Sequence, residues 1–225
     1  MSHETRQSLE KDGYRAQLAV YAGGRVLLRS RQGTNMTASS PEIRAAALAQ
    51  LPADTRLDGE VVVWERDRLA FERLQQRLVR RGAGAAEAAR QWPAHYLVFD
   101  LVHAGADLTG WSYERRRAAL EELFADQGLE APLTVCPSTT DPAVARGWVA
   151  WTAAGLEGLC FKRLDEPYRP VRSWRKYKNR MNCICHNTSP GLKKRFTRVR
   201  PVRTMPDQTA EGHDMFEAVA DLPPS

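Results

Sequence analysis

Apolar side chains in the first third of the chain alternate with polar ones at the two-residue period of a strand. The pattern runs over Tyr14–Tyr21 and Arg25–Ser30, and Gly23-Gly24 between them predicts a tight hairpin turn, since glycine tolerates the positive φ such turns require. Further β-rich runs lie at 57–64, 96–102, 133–136 and 158–163. Helices are predicted between them. One covers 41–51, with Ser40 as N-cap and Pro41 at the first helical position; others cover 112–127 and 71–81, the latter placing Phe71, Leu74 and Leu78 on one face. Asp141-Pro142 starts another that stops at Gly155, and 82–89 reads as a small-residue loop or helix start. Strand pairs dominate over βαβ alternation, so the expected fold class is α+β with largely antiparallel sheets flanked by helices.

Composition narrows the class. With 225 residues, 43% of them hydrophobic and 27% charged, the chain can bury one sizeable core, or one core and a small appendage. Its longest apolar runs are strand-length and interrupted by charges, so no membrane span is expected. Residues 1–6 are polar and lead into no apolar stretch of a signal peptide, from which a cytoplasmic location is expected. Cys136 and Cys160 sit in apolar runs as expected reduced thiols. Cys183, Cys185 and His186 lack a second ligand pair at zinc-finger spacing.

Charge is unevenly distributed. The net +6 combines a nearly balanced 1–173, a window at 174–206 with ten basic and no acidic residues, and a closing stretch with five acidic and no basic ones. Such a basic window suits phosphates, or is simply a solvated tail. Residues 179–225 contain several prolines and few large aliphatics, so an irregular tail, basic and then acidic, is expected after a domain at 1–178.

Six short motifs follow in order: Lys11-Asp12-Gly13-Tyr14-Arg15; Arg29-Ser30-Arg31-Gln32-Gly33-Thr34-Asn35; Leu57-Asp58-Gly59-Glu60; Tyr96-Leu97-Val98-Phe99-Asp100; Glu157-Gly158-Leu159-Cys160-Phe161-Lys162; and Trp174-Arg175-Lys176-Tyr177-Lys178. Each alone is an ordinary charged turn or strand end. Together they resemble the covalent nucleotidyltransferase superfamily, and Phe71-Glu72-Arg73-Leu74-Gln75 is similar to bacterial ATP-dependent DNA ligases in particular.

That resemblance implies a nucleotidyltransferase (ATP-grasp-like) adenylation domain that seals nicks in duplex DNA, in repair or recombination, through an AMP-lysine intermediate. It implies ATP and Mg2+ as cofactors and a monomer as the working unit. Lys11 would be the nucleophile. Glu10, Arg15, Arg31, Glu60, Phe99, Lys162, Lys176 and Lys178 would bind the nucleotide, with Phe99 stacking on adenine and Glu60 on the ribose; Glu157 and Glu60 would serve the metal. Chemistry agrees with these types: a lysine must be neutral to attack, and neighbouring cations such as Lys176 and Lys178 favour that form while holding phosphate. The five histidines match no motif and are expected to be structural or solvated.

The chain departs from the family pattern in two places. The family has one residue between lysine and Asp-Gly, whereas Lys11 directly precedes Asp12, and strict alignment puts Glu10 at the nucleophile position. A bulge at Glu10-Lys11 would re-aim Lys11. The first motif also begins near the start of the sequence, and 179–225 is too short for the five-stranded OB-fold barrel that usually follows. A catalytically silent remnant binding nucleotide or nucleic acid, and an RNA ligase or capping-type guanylyltransferase, are the alternatives.

Overall fold

The computed structural model describes residues 4–11, 13–149, 156–169 and 175–178, without the side chains of Glu10, Lys11, Leu156 and Lys178. The elements run β1 (Thr5–Lys11), β2 (Tyr14–Tyr21), β3 (Arg25–Ser30), α1 (Pro41–Gln50), β4 (Thr55–Glu65), β5 (Arg68–Leu69), α2 (Phe71–Leu78), α3 (Gly82–Gln91), β6 (Ala94–Ala104), α4 (Tyr113–Gln127), β7 (Leu133–Val135), β8 (Ser138–Thr139), α5 (Pro142–Val149), β9 (Leu156–Arg163) and β10 (Arg175–Lys178).

Two sheets result. A six-stranded sheet has the order β3-β2-β4-β6-β7, with β5 attached to β4, and a four-stranded sheet has the order β10-β9-β1-β8. All pairings are antiparallel except β6 with β7, which is parallel with Tyr96 opposite Leu133. The expected α+β class with largely antiparallel sheets is what forms. The β2–β3 hairpin turns through Gly23 and Gly24 at φ +79° and +75°.

One face of the larger sheet is the core. Leu18, Val20, Leu28, Leu57, Val61, Tyr96, Val98 and Leu101 interlock there with Ile43 and Ala47 of α1, Leu74 of α2 and Leu120 of α4. Each such side chain contributes roughly 1.5–3 kcal/mol by leaving water. Gly59 belongs to this packing: a Cβ there would lie 2.7 Å from both the Leu97 carbonyl oxygen and the Tyr96 ring. The Tyr96 hydroxyl in turn donates to the carbonyls of Ala16 and Leu57 at 2.8 and 3.1 Å.

Helix ends follow local chemistry with some changes from expectation. Ser112 caps α4 by accepting from the Arg115 amide at 3.4 Å, and Gly128 closes the helix in the left-handed conformation. Ser40 precedes Pro41 as expected, but its side chain makes no capping bond. The helix expected over 71–81 stops at Leu78, because Gly82, at φ +52°, turns the chain into the separate helix α3. The expected end of α5 at Gly155 and the tail at 179–225 lie outside the described residues. So do Asp12, Trp174, Cys183, Cys185 and His186. No described helix is long and apolar enough to cross a membrane.

Candidate functional site

Strand alternation sends the second set of side chains from the large sheet to its other face. On β2 these include Arg15 and Gln17, and on β4 Asp58 and Glu60. Arg15 stands opposite Glu60 across the pair. Arg15 grips Asp58 with Nε to Oδ1 at 3.1 Å and Nη2 to Oδ2 at 2.5 Å. The Tyr168 hydroxyl donates to Asp58 Oδ2 at 2.9 Å and accepts from Gln17 Nε2 at 3.1 Å. Burial works to lower the Arg15 pKa, but the hydrogen bonds and charges of Asp58 and Tyr168 together outweigh this and raise it, so the guanidinium stays charged. Burial, and then the Asp58 charge, push the Tyr168 phenol up to about 12, which keeps it a donor.

Phe99 and Asp100 project to this same side because β6 is irregular there. Asp58 stands opposite Asp100 and Gly59 opposite Val98, which leaves Phe99 as the extra residue. A bulge of this kind bends a strand and re-aims its side chains. Lys162 of β9 reaches across from the other sheet, with Nζ 4.4 Å from the Phe99 ring centre, 4.5 Å from that of Tyr113 and 3.8 Å from Asp100 Oδ2. Arg15 lies 5.5 Å from the Phe99 ring centre. Burial works to lower the Lys162 pKa, but Tyr113, Asp100, Cys160 and Asp58 together raise it. Lys162 is therefore a fixed ammonium, suited to anions and unsuited to nucleophilic attack. β6 continues to Ala104, and Asp100 is buried mid-strand in a bidentate pair with Arg116.

Arg15, Asp100, Tyr113, Arg116, Lys162 and Tyr168 line one cavity. Of that set the six motifs contain Arg15, Asp100 and Lys162, while Tyr113, Arg116 and Tyr168 lie outside them. Asp58 lies in the third motif, which assigns it no role. Nothing local marks Arg116, because Glu114-Arg115-Arg116-Arg117 reads as a solvated helix face, yet Arg116 and Arg117 are buried.

The remaining candidates occupy defined places. Arg31 is exposed, and its backbone amide donates to the Arg15 carbonyl at 3.1 Å, which ties the second motif to the first. Glu60 is half-buried beside Gly13, where an added Cβ would lie 2.5 Å from Glu60 Cγ; the missing side chain makes room for the carboxylate arm. Glu10 stands opposite Gly158 and Lys11 opposite Leu156, and the register shifts at that step. The residue skipped is Glu157, so the irregularity lies in β9, and not in β1 where a bulge re-aiming Lys11 would require it. Lys176 is exposed opposite Cys160, and Lys178 stands opposite Gly158. The side chains of Glu10, Lys11 and Lys178 lie outside the described residues. Cys136 is buried and Cys160 half-buried.

Known proteins resemble this chain in sequence and fold. Residues 4–178 match the family model described as ATP dependent DNA ligase domain. DNA ligase C2 of Mycolicibacterium smegmatis is 42% identical over 161 residues, spanning 71% of this chain and 45% of that protein. DNA ligase C of Mycobacterium tuberculosis is 37% identical over 163 residues, with the same two shares. The chain thus spans less than half the length of these relatives. Among solved structures, mycobacterial DNA ligase D complexed with ATP and MES superposes with a TM-score of 0.61 at 32% identity, covering 77% of this chain and 54% of that one.

Proposed function

Because the chain belongs to the ATP-dependent DNA ligase domain family, we propose that its cavity binds the adenylate of ATP and that Lys11 accepts AMP for transfer to the 5′-phosphate of a nick in duplex DNA. The observation that carries this is that Arg15 and Lys162, from two separate motifs, line one cavity and both stand beside the ring of Phe99 from a third. Phe99 offers an aromatic face for adenine. The Lys162 ammonium and the Arg15 guanidinium offer permanent positive charge to phosphate or ribose oxygens. Glu60, opposite Arg15, supplies an acceptor for ribose hydroxyls, and Arg31, Lys176 and Lys178 add positive charge for nucleotide or DNA phosphates. Glu10 belongs with the nucleotide-binding set by its place beside Lys11.

The donor set also fits magnesium. No cluster of three metal-ligating side chains occurs among the described residues. Mg2+ needs none, since it keeps several waters and binds through one or two carboxylates plus substrate phosphates. Glu157, at the register shift, and Glu60 would hold it, and it would supply neutralisation of phosphate charge. Repair or recombination is the setting, with a monomer in the cytoplasm as the working unit. Residues 1–178 make up the adenylation domain.

The test is covalent labelling. The protein is incubated with ATP labelled at the α-phosphate and magnesium, then denatured. Label retained by the wild type and lost in Lys11→Ala supports the assignment; label that survives Lys11→Ala removes Lys11 as nucleophile. A second reading, a nucleotide-binding protein without AMP transfer, is favoured by the direct adjacency of Lys11 to Asp12 and by the register shift lying in β9. It predicts ATP binding with no covalent label and no turnover on nicked duplex. Labelling by GTP in place of ATP would instead point to capping-type chemistry.

A further inference from the structure

Two cations share the Asp100 carboxylate, and they share it unequally. Arg116 approaches edge-on, with Nε 2.8 Å from Oδ1 and Nη2 3.1 Å from Oδ2. Its Nη1 donates to the carbonyls of Trp111 at 2.5 Å and Glu166 at 3.3 Å. Both members of the pair are buried, with side chains 3% and 4% exposed. Lys162 Nζ stands further off, at 3.8 Å from Oδ2, beyond hydrogen-bonding distance.

We propose that Arg116 is a positioning residue of the nucleotide site: by neutralising Asp100 from behind, it keeps Lys162 available to a nucleotide phosphate and holds the neighbouring Phe99 in place for the base. This inference rests on the nucleotide-binding reading above. A buried carboxylate requires a counter-charge. With Arg116 present, that demand is met by a planar fork on α4, and Lys162 can lean on the faces of Phe99 and Tyr113. With Arg116 removed, Lys162 is left 3.8 Å from Asp100, and attraction between the two buried charges draws it onto Asp100 and away from the ligand. The same fork joins α4, the irregular step of β6 and the Glu166 carbonyl, so it also fixes the ring beside Asp100.

A purely structural role for Arg116 makes a different prediction, and a double-mutant cycle separates the two. The probe is an ATP analogue with a methylene bridge between the α- and β-phosphates, whose binding is measured by calorimetry alongside melting temperature. Arg116→Met is expected to weaken binding roughly ten- to a hundredfold, the range for a lost hydrogen bond to a charged group. Adding Asp100→Asn removes the stranded charge and is expected to recover most of that loss. If the double variant binds no better than Arg116→Met, or if binding merely follows melting temperature, the proposal is overturned. Should Arg116→Met not fold, Arg116→Lys carries the same test with the charge kept. It is expected to bind about three- to tenfold more weakly, since an ammonium cannot span both oxygens and the two carbonyls, and Asp100→Asn is expected to restore it. A loss that Asp100→Asn deepens overturns the proposal. If the wild type itself binds no analogue, the nucleotide reading falls and this inference with it; if the wild type binds and both Arg116 variants match it, only this inference falls.

Discussion

The two faces of the six-stranded sheet are built from alternate residues of the same strands, and different physics holds them. Leu57 and Asp58 are chain neighbours on β4, and both are buried. Leu57 joins the apolar cluster under α1, α2 and α4. Asp58 faces the other sheet, where it accepts from Arg15 and Tyr168. On the first face burial is non-directional, and roughly the right volume of hydrocarbon suffices. On the second, buried charges persist because each has an opposite charge close by, so small displacements are costly. The face that carries the candidate chemistry is thus the one where geometry, more than hydrophobicity, has to be right.

The largest expected effect is at Leu57. Leu57→Ala is expected to cost about 2–5 kcal/mol of stability, the range for emptying a leucine site in a packed core. Analogue binding well below the melting temperature should stay at the wild-type level. A calorimetric titration of the folded variant checks this, and a large loss of affinity there would mean that the two faces are not separable.

Asp58→Asn tests the other face with a smaller structural effect. The substitution keeps shape but turns an acceptor of three hydrogen bonds into a group that presents an amide donor to donors. A cost of roughly 1–3 kcal/mol is expected. Here binding should suffer as well, because Arg15 loses the carboxylate that aims it. The readout is the rise in melting temperature on adding the analogue, which should shrink in Asp58→Asn and survive in Leu57→Ala. Equal rises in both variants would count against any role for the Arg15–Asp58 pair in holding ligand.

Legibility in the sequence follows the same division. The strands Tyr14–Tyr21 and Arg25–Ser30 were readable to the residue, since alternation marks the core face and Gly23-Gly24 marks the turn. β1 was not, because Thr-Arg-Gln-Ser-Leu-Glu-Lys has no apolar alternation: it buries Gln7 and Ser8 beside Leu9 between two neighbouring strands. β5 and β8, of two residues each, are too short to carry a pattern. In the site, Arg15, Glu60, Phe99 and Lys162 were visible as motif letters. Their partners were not: Arg116 hides in an arginine run on an otherwise polar helix, and Tyr168 lies in a loop stretch with no periodicity. Pairing across 110 residues, as between Tyr168 and Asp58, leaves no local trace.

The smallest expected effect belongs to His95, a titratable group stranded on the cleft-side face of β6. It stands opposite Val62, and its Nδ1 is buried with no hydrogen-bond partner among the described residues. Burial holds its pKa below the ordinary value of about 6.5, because the charged ring would be poorly solvated there. The sign follows from linkage: with the folded pKa depressed, protons bind the unfolded chain more readily, so the neutral ring contributes stability that is present above pH about 6.5 and lost as pH falls through the depressed folded value. Melting temperature should therefore fall between about pH 7.5 and about pH 5.5 by more in the wild type than in His95→Leu, which has nothing to titrate at that position. Equal falls in the two proteins would show that the His95 ring is solvated in the folded state, and would place the acid sensitivity with the ion pairs of the cleft.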